Sequence, residues 1–193
     1  LAKKIFILKP LFYIVSTGHF LCYKIKRRIT MNIKVSGELS GILEVLKKMA
    51  MFEMIIGELY SLCANTWPED GEFWLSIWRD EIRHAQFINN IIEIISKKPE
   101  NFEKGRPFNV FALEKTISEI KNWMEKIERK EISCEQFLYI ARDLEGGYLE
   151  DRYSEIVKTK DIEYLTLMHK IVNDTAKHKE KIIERINERT KNK

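Results

Sequence analysis

Three glutamates and two histidines of this chain occupy positions where an amphipathic helix should be apolar. Glu53 lies in Ala50-Met51-Phe52-Glu53-Met54-Ile55-Ile56, with Met49 one turn before it and Ile56 and Tyr60 on the turns after. Glu81 follows Ile77 and Trp78 by a turn, and His84 comes three residues later on a face continued by Ile88 and Ile91. Glu145 falls between Leu138, Ala141 and the pair Tyr148, Leu149, and His178 lies on the stripe Met168, Ile171, Thr175, Ile182. An ionised carboxylate buried without compensation costs several kcal/mol even after relaxation, so three in one core require protons or cations. Oxygen and imidazole donors together suit iron or manganese better than a soft metal. Taken singly, each side chain has a plainer reading. Glu53 or Glu145 could sit at a core rim with its head in water, and His178 could be a surface residue paired with Asp174 one turn earlier.

The elements that must position these residues follow from the apolar spacing. From Ser40, Leu43, Leu46, Met49, Ala50, Ile56 and Tyr60 recur at helical intervals until Asn65-Thr66-Trp67-Pro68 stops the run. A second run, from Phe73 and Trp74 through Ile77, Ala85, Ile88 and Ile95, ends at Lys97-Lys98-Pro99, where proline cannot continue a helix. Leu113, Ile117, Ile120, Met124 and Ile127 mark a shorter connecting helix. Ser133 and Gln136 fit a capping box opening a helix that the pattern carries through Leu144, Tyr148 and Leu149 to about Val157. Asp161 can cap a last helix bearing Leu165, Met168, Ile171 and Ile182. The expected fold is all-α: a four-helix bundle of two hairpins joined by a long crossover with an extra helix.

Hairpin arithmetic places the polar residues at one depth. Trp67 lies midway between Glu53 and Glu81, and Lys160 midway between Glu145 and Thr175, both inside expected turns. Residues equidistant from an antiparallel turn lie level, here about 21–23 Å from it in each hairpin. Carboxylates and imidazoles at one level of a bundle core are the ligand set of a di-iron or di-manganese carboxylate site.

Composition excludes other classes. The chain has 193 residues with 45% hydrophobic and 32% charged, and only 8 Gly and 4 Pro, which disfavours disorder and Gly-punctuated all-β folds. Its net charge of +4 is concentrated at one end. Residues 1–30 carry Lys3, Lys4, Lys9, Lys24, Lys26, Arg27 and Arg28 and no acid, leaving 26 of the 33 basic residues against all 29 acidic ones. That slightly acidic body lacks the electrostatic footprint of a nucleic-acid-binding domain. Cys22, Cys63 and Cys134 form no C-x-x-C pair, which points to a reducing, cytoplasmic setting and away from a disulfide scaffold. The apolar stretch Ile5 to Tyr23 is broken by Lys9-Pro10 and Gly18-His19 and makes a poor membrane span. Met31 opens a segment of different composition, so the expected organisation is a leader over 1–30 and a bundle over 31–193. The leader is read as translated upstream sequence, with a membrane-surface tether or an extra packed helix as the alternatives.

Over about residues 36–187 the chain resembles the ferritin-like superfamily, and within it rubrerythrin-like proteins. The resemblance rests on Phe52-Glu53 with Tyr60 beyond it, Asp80-Glu81-Ile82-Arg83-His84-Ala85, Asp143-Leu144-Glu145, and Asp174-Thr175-Ala176-Lys177-His178. It implies a metal site for iron (two ions if intact) or manganese. Glu53 and Glu145 would be terminal ligands, Glu81 a bridging carboxylate, and His84 and His178 the nitrogen ligands. It also implies redox chemistry with peroxide or oxygen, an electron donor on a separate protein because no rubredoxin-type cysteine module is present, and a homodimer. Where the family carries a second bridging glutamate, this chain has Thr175. That departure supports the alternative of a degenerate bundle without metal, acting as a structural or protein-interaction module.

Overall fold

Helices run long in this chain because glycine and proline interrupt it so rarely. The computed structural model describes residues 37–147 and 150–191. Among them are α1 (Gly37–Thr66), α2 (Gly71–Lys97), α3 (Val110–Glu128), α4 (Cys134–Glu145) and α5 (Ile162–Lys191), with two short strands, β1 (Phe102–Lys104) and β2 (Val157–Thr159). The basic leader lies outside the described residues, as do Tyr148 and Leu149. Side-chain caps set three helix starts. Asn109 Oδ1 accepts from Ala112 N, Ser133 and Gln136 form a reciprocal capping box, and Asp161 Oδ1 accepts from Tyr164 N. No helix among the described residues is long and apolar enough to cross a membrane.

Contacts at Asp70 give the directions of the helices. Asp70 sits at the start of α2, just after α1 ends, and is touched by Cys134 at the start of α4 and by Arg185 and Arg189 near the end of α5. The starts of α2 and α4 and the ends of α1 and α5 therefore share one end of the protein. At the opposite end Lys98, just beyond α2, pairs with Asp161 and Glu163 at the start of α5. The chain must recross the molecule between α2 and α4, and α3, packed against α1, makes that return. The core between the helices is aliphatic and aromatic, with Leu46, Phe52, Trp74, Ile88, Phe137 and Met168 fully buried. At Gly57 the backbone of α1 comes close to α2, where an added Cβ would stand 3.2 Å from Ile82 Cδ1 and 3.5 Å from Glu81 Cβ.

One expectation is overturned, and one small element is added to a mostly helical fold. The helix opened by Ser133 stops at Glu145 instead of continuing to about Val157. Gly146 and Gly147 follow, and glycine in a helix interior is less favourable than alanine by about 1 kcal/mol. Gly147 N closes the helix on Leu144 O, and the chain passes through a 3-10 turn over Glu150–Glu155 into β2. The second difference is the antiparallel ladder itself, with Phe102 opposite Thr159 and Lys104 opposite Val157. Strands of three residues are too short to show alternation in a sequence. Gly105 extends the ladder through its N–H to Ile156 O, and an added Cβ there would lie 2.1 Å from Glu155 O, so only glycine fits.

Candidate metal centre

All five residues singled out from the sequence converge. Glu53 comes from α1, Glu81 and His84 from α2, Glu145 from the last position of α4 and His178 from α5, and every one is buried. They form two groups. Glu53, Glu81 and His84 present donor atoms within 4.8 Å of one another, and so do Glu81, Glu145 and His178. Glu81 belongs to both, with Oε2 3.3 Å from His84 Nδ1 and Oε1 2.9 Å from His178 Nδ1. His84 Nδ1 is 3.7 Å from Glu53, and His178 Nδ1 is 3.4 Å from Glu145. The two imidazoles flank Glu81, their centroids 5.7 Å apart and their planes 28° from parallel.

The backs of the imidazoles face aspartates crosswise, His178 within hydrogen-bond reach and His84 at a longer distance. His178 Nε2 lies 3.0 Å from Asp80 on α2, and His84 Nε2 lies 3.7 Å from Asp174 on α5. Arg83 ties the two aspartates, at 2.5 Å from Asp80 and 3.1 Å from Asp174. His178 is therefore no surface residue paired with Asp174, because its ring is fully buried and its aspartate comes from the other helix. Asp174 faces the rear of His84 and is absent from both donor groups. Thr175 is buried one turn before His178, on the same stripe of α5. Tyr60, fully buried, donates its hydroxyl to Glu145 Oε1 at 2.5 Å. The placement of Asp80 and Asp174 behind the rings escaped the sequence reading, although Asp-x-x-x-His recurs in α2 and α5 and marks both aspartates.

The electrostatics are those of buried carboxylates compensated by protons on themselves and on the two imidazoles. Burial pushes the Glu53 carboxyl up to about 8, only partly offset by His84. Burial, with the nearby Glu81 charge, also raises Glu145. Glu81 goes the other way: burial would raise it, but His178 and His84 outweigh burial and hold it well below the usual carboxylate range. Burial disfavours charge on the histidines, yet Glu53 and Glu81 raise His84 to about 10, and Glu145 and Glu81 raise His178 to about 11. Even so, Glu53 Oε1, Glu81 Oε1 and His178 Nδ1 are buried with no hydrogen-bond partner, since the 2.9 Å approach of the last two is out of line for one. Buried polar atoms left in this state are costly. A divalent cation in each group would use those orphaned atoms as ligands, and the hard oxygen and imidazole donors fit iron or manganese.

Comparison of the chain with protein-family models, with curated proteins and with solved structures gives no match.

Proposed function

We propose that residues 36–187 form a ferritin-like, rubrerythrin-like four-helix bundle that binds iron or manganese in its core and acts on peroxide or oxygen. The observation that carries this reading is the sharing of Glu81 between two buried groups, each completed by one further glutamate and one histidine. Iron bound there would supply one-electron redox chemistry. The rest falls to the chain's own residues. Asp80 fixes the ring orientation of His178 through Nε2 and Asp174 stands 3.7 Å behind His84, and both Nδ1 atoms face Glu81. Tyr60 holds one oxygen of Glu145 and leaves the other toward His178. The surrounding aliphatic and aromatic core keeps bulk water from the carboxylates, and Glu53 retains a proton at neutral pH that it can release to a substrate or to solvent. A cytoplasmic location, a separate electron donor and a homodimer belong to the same proposal.

One observation favours a second reading, a metal-free structural or interaction module. Thr175 offers a buried hydroxyl where a fourth carboxylate would otherwise compensate the charge of two cations. Against it, an unmetallated core would be more stable with apolar residues at the five polar positions. Elemental analysis of the chain reconstituted anaerobically with ferrous iron and then desalted separates the readings. About two irons per chain are expected for a complete di-metal site. A single iron would restrict function to one group, and retention of neither iron nor manganese would refute the metal reading in favour of the module.

A further inference from the structure

We propose that Tyr60, Trp74 and Trp67 form a route that carries oxidising equivalents away from the carboxylate and imidazole site to the α1–α2 turn. The inference rests on the proposed metal site for its use, but its geometry stands independently. Tyr60 is joined to the site through its bond to Glu145 Oε1. Its ring stacks on Trp74, with centroids 5.5 Å apart and planes 15° from parallel, and Trp74 lies 6.5 Å from Trp67. Tyr60 and Trp74 are fully buried, whereas Trp67, at the turn, is half-buried and reaches solvent. Phe73 and Phe137 pack on Trp74 at 4.8 and 5.5 Å, so rings that resist oxidation wall a file of the two most oxidisable aromatic side chains. The order matters as well. The tyrosine, which must lose a proton when oxidised, stands where a carboxylate can accept it within hydrogen-bond reach. The tryptophan that opens to water stands last.

A singly occupied site gives the route a purpose. Reducing hydrogen peroxide to two waters breaks the O–O bond and takes two electrons and two protons. A ferrous ion held in only one of the two groups would supply one electron as it becomes ferric, leaving the second to the protein. The second comes from Tyr60, whose hydroxyl proton passes to Glu145. Trp74 then returns an electron to the tyrosyl radical while the proton goes back from Glu145, and Trp67 in turn reduces Trp74. Trp67 gives up its indole N–H proton to water, which together with one further solvent proton completes the two waters. The Trp67 radical is left at the surface, where a thiol-class one-electron donor can quench it.

Two measurements on the full chain test the route separately from the metal. In metal-free protein, a flash-quenched ruthenium tris-bipyridine oxidant in solution injects a hole, and transient absorption and EPR should show a tyrosyl radical. The part of that signal that belongs to buried Tyr60 should be lost in Tyr60→Phe and in Trp67→Phe, measured against a Tyr139→Phe background because Tyr139 is exposed, leaving the Trp123→Phe control unchanged. Far-UV circular dichroism checks that each variant is folded, and Trp74→Phe provides a second interruption. A tyrosyl signal of the same size in Tyr60→Phe as in the parent protein overturns the route whatever the metal does. In protein loaded with ferrous iron and freeze-quenched after one equivalent of hydrogen peroxide, the wild type should form radicals on Tyr60 and tryptophan, with the tryptophan component missing in Trp74→Phe. Loaded protein that forms no such radical also overturns the proposal. If no iron is retained, the proposed function fails and this role with it, while the metal-free measurement still reports whether the aromatic file conducts.

Discussion

Metal binding should expel protons, and the number expelled should report how many of the two groups are filled. At pH 7 His84 and His178, raised to about 10 and 11, carry protons, and so does Glu53, raised to about 8. Ligands must be deprotonated to bind a metal. Filling both groups at that pH therefore displaces about three protons, one from each of these residues. Filling only the Glu53, Glu81 and His84 group displaces about two. Raising the pH favours binding because the protons compete with the cation, and affinity should climb about tenfold per pH unit for every proton displaced, ~1.4 kcal/mol each. The slope should ease above pH 8, where Glu53 is already ionised. Anaerobic calorimetric titration with ferrous iron or manganese in two buffers of different ionisation enthalpy gives the proton count directly. His178→Gln should lower that count by about one and restrict binding to a single ion. Binding heats that do not depend on the buffer, or an affinity that is flat from pH 6 to 8, would refute the reasoning.

Three further outcomes follow from the same contacts. Metal-free Glu53→Gln should be more stable than the wild type by about 4 kcal/mol at pH 8 and by only about 1 kcal/mol at pH 5, because a carboxyl whose pKa is raised to about 8 on folding loses stability as the pH climbs from its unfolded value to that point; thermal melts at the two pH values check this. Asp70, fully buried at its side chain, would be raised by burial, but Cys134, Arg185 and Arg189 hold it below its ordinary value. Its stabilisation is therefore present above the unfolded pKa of about 3.9 and disappears as the pH falls through the folded value. Asp70→Asn should cost about 3 kcal/mol in urea unfolding at pH 7 and flatten the acid limb of the stability curve. Asp80→Ala frees the ring of His178 and should weaken metal binding about 10- to 100-fold with helix content unchanged, as followed by competition with a chromogenic chelator and by circular dichroism.

Much of this arrangement was legible because polar residues on apolar stripes are conspicuous. Glu53, Glu81, His84 and His178 stand out against runs of Ile, Leu, Met and Trp, and the helical period that makes them anomalous also carries them to one face. Glu145 was found by the same rule, although its helix ends there and does not continue to Val157. The hairpin arithmetic for that half assumed a straight helix down to the Lys160 turn, whereas the chain descends through a 3-10 turn and β2. Gly146-Gly147 was the local signal against helix, and the apolar Tyr148 and Leu149 beyond it masked that signal. The ladder between β1 and β2 could not be read because its pairing joins residues more than fifty positions apart, a tertiary fact with no local period. The cluster of Asp70, Cys134, Arg185 and Arg189 was hidden for the same reason. Each member looks like an ordinary surface residue until α1, α4 and α5 meet at one end.

The crosswise hold on the imidazoles links the chemistry of the site to the mechanics of the helices. Asp80 on α2 holds a ring carried by α5, and Asp174 on α5 faces a ring carried by α2. Slipping one helix past the other by a single residue, about 1.5 Å, would strain both contacts together and carry His178 away from Glu81, which shares α2 with His84. Any ligand that draws Glu81 and the two rings together must then resist that shear along the full length of both helices. Glu81, His84 and His178, with the two aspartates behind the rings, thus act as a rivet between α2 and α5, to which Glu53 adds α1 and Glu145 adds α4.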